Sequence, residues 1–120
     1  MTGEPRPLRA IRLISGVVFV VFGAGKFVNH SSELASFRGY GLPAPEVFVI
    51  VIGVIELVGG ALLITNRFVK PAALVLAADM VGAIVVSGIA KGELISLTLA
   101  PALLLAMAAL LLAPAMTHKS

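Results

Sequence analysis

Two carboxylates stand where acidic residues are costly. Glu56 is the only charged residue between Glu46 and Arg67, and Asp79 is the only one between Lys70 and Lys91. Each intervening stretch is 20 residues long and otherwise almost wholly apolar, the length that crosses a bilayer as a helix. An ionisable side chain at the centre of a span costs about 2.5–3.5 kcal/mol on insertion scales, and such groups persist where they pair, line a polar cavity or handle protons and ligands. Glu56 is the tenth residue of its stretch and Asp79 the ninth of the next. Because the chain reverses direction between them, a rise of about 1.5 Å per residue puts their depths within roughly 3 Å of each other. Facing inward on neighbouring helices, the two carboxyls could share a proton or a water.

A third group belongs with them. Lys26 follows Arg12 by 14 residues, about 21 Å along a helix, which places it in the outer part of the bilayer. Its stem can reach inward toward Glu56 or snorkel outward to the headgroups. Two uses compete for Glu56 and Asp79: hydrogen bonding that joins helices, and direct work on a proton or a ligand.

Other chemistries find no residues. Cysteine is absent, which removes thiolate nucleophiles, disulfide exchange and thiolate metal sites. His30 and His118 lie outside the apolar runs, so no histidine pair is placed to ligate haem within the bilayer. The sequence carries no phosphate loop and no dinucleotide fingerprint. No metal site is expected. The net charge of +3 comes from basic residues that flank apolar segments, a membrane pattern rather than the basic stripe of a nucleic-acid reader.

The elements that must position these groups follow from composition. The chain is 59% hydrophobic and 12% charged, about half the charge of a soluble domain, with a mean hydropathy of +1.09. Apolar runs predict spans over about residues 9–27, 47–65, 71–90 and 94–112 in a single domain covering 1–120. Pro5 and Pro7 discourage helix before Leu8. A cleavable leader is the competing reading of the first run, but Gly23-Ala24-Gly25-Lys26 is a poor cleavage site. Residues 29–45 form the longest connection, either an ordered loop or a short interfacial helix capped by Ser31 or Ser32, with Leu34 and Phe37 toward the bilayer. Tyr40 suits the interface. Pro71 fits a first helical turn, and Pro101 falls inside the last span, where it removes one backbone bond.

Small residues recur at helix-contact spacing: Gly16 with Gly23, Gly53 with Gly60, and Ala78 with Gly82. In lipid such positions let backbones approach. Glu56 shares its face with Gly53 and Gly60, Gly59 counts with the packing glycines, and Asp79 shares its face with Gly82 and Ala83. Met80 and Met107 read as gap-fillers. The expected fold is all-α, a membrane-spanning antiparallel four-helix bundle. Arg6, Arg9, Arg12, Arg67, Lys70 and Lys119 fall on one side and Lys26, Arg38 and Lys91 on the other. Six against three predicts cytoplasmic termini by the positive-inside rule.

Three motifs stand in order: Leu-Ile-Ser-Gly-Val-Val-Phe-Val-Val-Phe-Gly-Ala-Gly-Lys-Phe over 13–27, Gly-Leu-Pro-Ala-Pro over 41–45, and Gly53-Val-Ile-Glu56-Leu-Val-Gly59-Gly60-Ala-Leu-Leu. An alanine-rich third span and a Gly-Glu-Leu entry to the fourth follow. The whole resembles the DoxX family. That resemblance implies a four-helix protein of the bacterial cytoplasmic (inner) membrane, with Lys26, Glu56, Gly59 and Gly60 as motif residues; Asp79 rests on the bilayer argument alone. Members of the family are associated with thiosulfate:quinone oxidoreduction and with a mycobacterial membrane oxidoreductase complex, and distant eukaryotic relatives are cargo receptors or assembly chaperones.

The leading expectation is a non-catalytic or accessory subunit of a membrane redox or quinone-linked assembly. No cofactor is expected on the chain itself, but a quinone or lipid could sit in the bundle near Glu56. Expected partners are the lipid bilayer, other proteins of a membrane complex or further copies of the chain, with no nucleic acid. The alternatives are a scaffold or chaperone without small-molecule chemistry, and a small proton-coupled carrier. A cavity at Glu56 and Asp79 separates the first and last of these from the scaffold, which needs a filled interior.

Overall fold

The computed structural model describes residues 4–41, 43–89 and 94–113, and every element in them is helical. Helix α1 spans Arg6–Val28. It begins two residues earlier than the prolines predict. Pro5 provides the extended entry and Pro7 falls in the first turn, where its missing N–H would find no helical partner in any case.

Helix α2, His30–Gly39, follows after the single residue Asn29, so the connection is helix rather than loop. No serine caps it. Leu34 is buried and Phe37 half-buried, so neither of the two is turned out to lipid as expected. The helix lies against α1 and α3, and its apolar side is used up there.

Helix α3 spans Pro45–Thr65 and enters through Ala44 in the left-handed region. It ends at Asn66, also left-handed, with backbone bonds from Asn66 and Arg67 back to Leu62 and Leu63, the closing pattern that satisfies terminal carbonyls. Helix α4, Val69–Ala83, starts after left-handed Phe68. It runs on as a π-helical segment, Ile84–Ile89, a wide turn that inserts extra residues into a helix and recurs near functional sites. Helix α5 spans Leu94–Leu112 with Pro101 inside it. The end of the third predicted span at residue 90, the turn over 91–93 and the tail with His118 and Lys119 lie outside the described residues.

Three helices, Arg6–Val28, Pro45–Thr65 and Val69–Val86, are long and apolar enough to cross a membrane, and Thr98–Leu112 forms a shorter apolar helix. Neighbours run antiparallel. Along α1, Gly16 meets Gly60 and Ile64, whereas Gly23 meets Gly53 and Leu57. A methyl group at Gly60 would stand 2.6 Å from the Gly16 carbonyl oxygen, and one at Gly23 would stand 2.7 Å from the Leu57 amide nitrogen. Only glycine permits so close an approach of two backbones. Gly59, on the other side of α3, takes the Leu76 side chain of α4.

Helix α5 packs on α4 and touches α1, closing an apolar core of Phe19, Leu63, Leu76, Met80, Leu103 and Met107. Both methionines fill space inside that core, as gap-fillers do. Val17, Val21, Val54, Val58, Val81 and Leu105 point outward and are exposed, an arrangement suited to lipid and not to water.

Candidate functional site

Lys26 lies in the last turn of α1, third from its end, on the side that faces α3. Its Nζ lies 2.9 Å from Oε1 of Glu56. Glu56 is 3% exposed, carried at the middle of α3 between the close-packed Gly53 and Gly59–Gly60. The Lys26 stem therefore points inward, with its ammonium shielded from water like its partner.

Asp79, on α4, lies within hydrogen-bonding reach of Glu56 and within electrostatic reach of Lys26. The structure thus brings Lys26, Glu56 and Asp79 together from three helices. A hydrogen bond between two carboxyl groups needs one proton between them. Among the described residues, Asp79 Oδ2 has no hydrogen-bond partner, and Glu56 Oε1 makes its ion pair without a well-directed hydrogen bond. Buried polar atoms left so are uncommon, and each asks for a further partner.

These groups form the floor of a cavity of about 410 Å³. Four aromatic rings, Phe22, Phe37, Tyr40 and Phe48, contribute to its walls, with Ile52 and Val86. Phe37 and Tyr40 stack at a tilt, centroids 5.5 Å apart. Gly82 and Ala83 also line the cavity. Gly82 was expected to be a packing glycine on spacing alone. It is not one: a methyl group there would meet nothing within 4 Å, so its small size leaves open space instead of admitting a helix.

Sequence reasoning missed Glu33. It comes from α2, lines the cavity and places Oε1 4.0 Å from Lys26 Nζ, with its side chain 34% exposed. The only available signal was its spacing of seven residues from Lys26, which crosses a helix junction and so carries no register. Ser36 and Tyr40 join it, making α2 one wall of the cavity.

A second buried basic group, Arg12, was read as a flanking charge. It is 6% exposed. Its Nε and Nη2 donate to the two carboxylate oxygens of Glu4 at 2.8 and 2.9 Å, and its Nη1 donates to the carbonyls of Leu63 and Ile64 at 2.5 and 3.1 Å. Among the described residues, no three His, Cys, Asp or Glu side chains are grouped to hold a metal ion.

Comparison with known proteins finds a family model, DoxX, matching residues 8–89. An uncharacterized membrane protein, Rv3486, of Mycobacterium tuberculosis is 38% identical over 85 residues, covering 69% of this chain and 52% of that protein. A Bacillus subtilis protein named "Putative oxidoreductase CatD" is 32% identical over 75 residues, 62% of this chain and 54% of its own length. An uncharacterized protein of Haemophilus influenzae is 31% identical over 77 residues, 64% of this chain and 55% of its own. The matched segments span about half the length of each of these relatives. No solved structure gives a significant match.

Proposed function

The chain belongs to the DoxX family of membrane proteins, and we propose on that premise that it is an accessory, non-catalytic subunit of a redox or quinone-linked assembly in the bacterial cytoplasmic membrane. In this reading α1, α3, α4 and α5 cross the bilayer as an antiparallel four-helix bundle with both termini cytoplasmic. The bundle holds one bilayer-borne amphipathic molecule, a quinone or a lipid, in the cavity over Lys26, Glu56 and Asp79. Its partners are the surrounding lipid and the catalytic proteins of the assembly, or further copies of the chain.

The cavity is the observation that carries this reading. A scaffold needs a filled interior, whereas here about 410 Å³ lies beside the only charged groups of the apolar stretches. The lining is largely aromatic and aliphatic with a few polar groups, Lys26, Glu56 and Asp79 among them, which is how small-molecule sites are built. The floor offers both kinds of hydrogen bond. Lys26 can donate to a carbonyl, and the unpartnered Asp79 Oδ2 can accept from a hydroxyl. A quinone head is an acceptor when oxidised and a donor when reduced, so both forms find a partner. A link to redox chemistry also agrees with the oxidoreductase name of the Bacillus subtilis relative.

The test is binding to the full chain in lipid nanodiscs, using a short-chain benzoquinone and its reduced form, with mass spectrometry of molecules that co-purify. Saturable binding that weakens at least tenfold in Gly82→Phe, which fills the cavity, supports the reading. Binding that survives this change, or no bound quinone or lipid beyond the annular background, overturns it.

A further inference from the structure

Lys26 has two carboxylate neighbours of opposite character. Glu56, at 2.9 Å, is buried near the middle of α3. Glu33, at 4.0 Å, is one-third exposed on α2. The ammonium therefore stands between a partly exposed carboxylate and a buried one. Beyond Glu56 lies Asp79, within hydrogen-bonding reach. Four titratable side chains from four helices thus form one continuous series, Glu33, Lys26, Glu56, Asp79.

We propose that this series is a proton port: Glu33 and Lys26 exchange protons between the water-facing edge of α2 and the buried Glu56–Asp79 pair. The steps balance without any further reactant. Lys26 Nζ gives a proton to the Glu56 carboxylate, leaving a neutral amine and a carboxylic acid. The amine takes a proton from the Glu33 carboxyl, which had gained it from water. The net change is one proton moved from water to the buried pair, and the reverse sequence returns it.

Among the described residues, the other titratable side chains beside the outer end of the series are Tyr40, which lines the cavity, and His30, whose Nδ1 lies 3.3 Å from the Lys26 carbonyl and not from its ammonium. Between Gly16 and Gly23, the residues of α1 and α3 that close on each other at the glycine contacts are glycines and aliphatic side chains, with Arg12 further along at the end of α3. The described residues of α5 contribute Ala100 to the cavity and no titratable group. Lysine is suited to the middle position. Its ammonium can lose a proton within the accessible range, whereas a guanidinium does not.

This inference goes beyond ligand binding and needs no ligand to be tested. The experiment is infrared spectroscopy of the full chain in nanodiscs, following hydrogen–deuterium exchange of the carboxylic-acid band that Glu56→Gln or Asp79→Asn removes. Two variants carry the test. Glu33→Gln changes a partly exposed side chain and leaves the core intact. Lys26→Arg keeps the positive charge and the pairing with Glu56, so a merely structural role survives it. The port requires exchange to slow at least tenfold in both. Exchange at the unaltered rate in either variant overturns the proposal. So does the absence of any such band between about pH 5 and 9, since a hydrogen-bonded carboxyl pair must carry a proton.

Discussion

Two buried cations on α1 meet α3 at different depths, and they are treated oppositely. Arg12 is closed. Both carboxylate oxygens of Glu4 and two terminal carbonyls of α3 accept from its guanidinium, so the planar fork of donors is used almost completely. Lys26 is open. It touches Glu56 at one side and Glu33 at the other, with a cavity beside it and the Asp79 Oδ2 oxygen unpartnered there. The closed cluster ties the N-terminal part of α1 to the end of α3, with four of the five guanidinium donors already used. The open cluster retains donors, acceptors and space. In hydrocarbon, where unsatisfied polar groups cost several kcal/mol each, that contrast separates a structural clamp from a site.

The largest effect is expected at the clamp. Arg12→Ala takes from Glu4 its buried cation, leaving the more exposed Arg9 at 3.7 Å, and removes the donors from two α3 carbonyls. Removing one partner of a buried pair costs about 3–5 kcal/mol. The fall should appear as a lowered unfolding midpoint in mild detergent. If Arg12→Ala unfolds no more readily than the unaltered chain, the clamp is decoration and the comparison fails.

The open pair should behave as a coupled unit. Lys26→Met or Glu56→Gln alone strands its partner, at about 3–5 kcal/mol for a fully buried pair and less here because Lys26 is only partly buried. The double variant should recover part of the loss, since both charges leave together. A double-mutant cycle on unfolding free energy should give a coupling of about 0.5–3 kcal/mol. Strictly additive losses would mean that the 2.9 Å contact does not join the two energetically.

Much of this arrangement is legible in the sequence, and the failures have physical reasons. Glu56 and Asp79 are visible because nothing else charged lies near them, and chain reversal alone gives them a common depth. The α1–α3 contact is visible in the glycine spacing. Gly82 shows the limit of that argument: a small residue records closeness or emptiness, and spacing cannot distinguish them. Arg12 looks like any basic flank because sequence reports charge and not which carbonyls end beside it. Glu33 and the cavity wall are invisible for a similar reason. They depend on how α2 folds back over α1 and α3 after Asn29, a tertiary outcome with no local signature. The π-helical segment over Ile84–Ile89 does contain the pair Ser87-Gly88, which marks a turn or a kink but does not say that the helix widens there.

Asp79 sharpens the description of the site further. Asp79→Asn keeps the side-chain shape and can donate to Glu56, so the fold should be retained. Asp79→Leu removes the partner of a buried carboxyl and should cost about 1–3 kcal/mol. Comparison of the two unfolding midpoints checks this. Equal midpoints would show that Asp79 contributes shape alone and that its reach to Glu56 is incidental.

The smallest effect on stability is expected at Gly82, where it discriminates best. Gly60 and Gly82 are both helical glycines, but a methyl group at Gly60 would stand 2.6 Å from a carbonyl oxygen and one at Gly82 would meet nothing within 4 Å. Gly60→Ala must push α1 away from α3, and overpacking of this kind costs about 1–3 kcal/mol. Gly82→Ala encounters no such obstacle and removes a flexible residue from a helix, which stabilises by up to about 1 kcal/mol. Its methyl group enters the cavity wall beside Asp79, so any molecule held there should bind more weakly while the protein unfolds no earlier. Unfolding and benzoquinone titrations on the two variants therefore move in opposite patterns: Gly60→Ala loses stability first, and Gly82→Ala loses affinity alone. If Gly82→Ala instead lowers stability as Gly60→Ala does, the space beside Asp79 is filled by protein, and the open cluster is a second clamp.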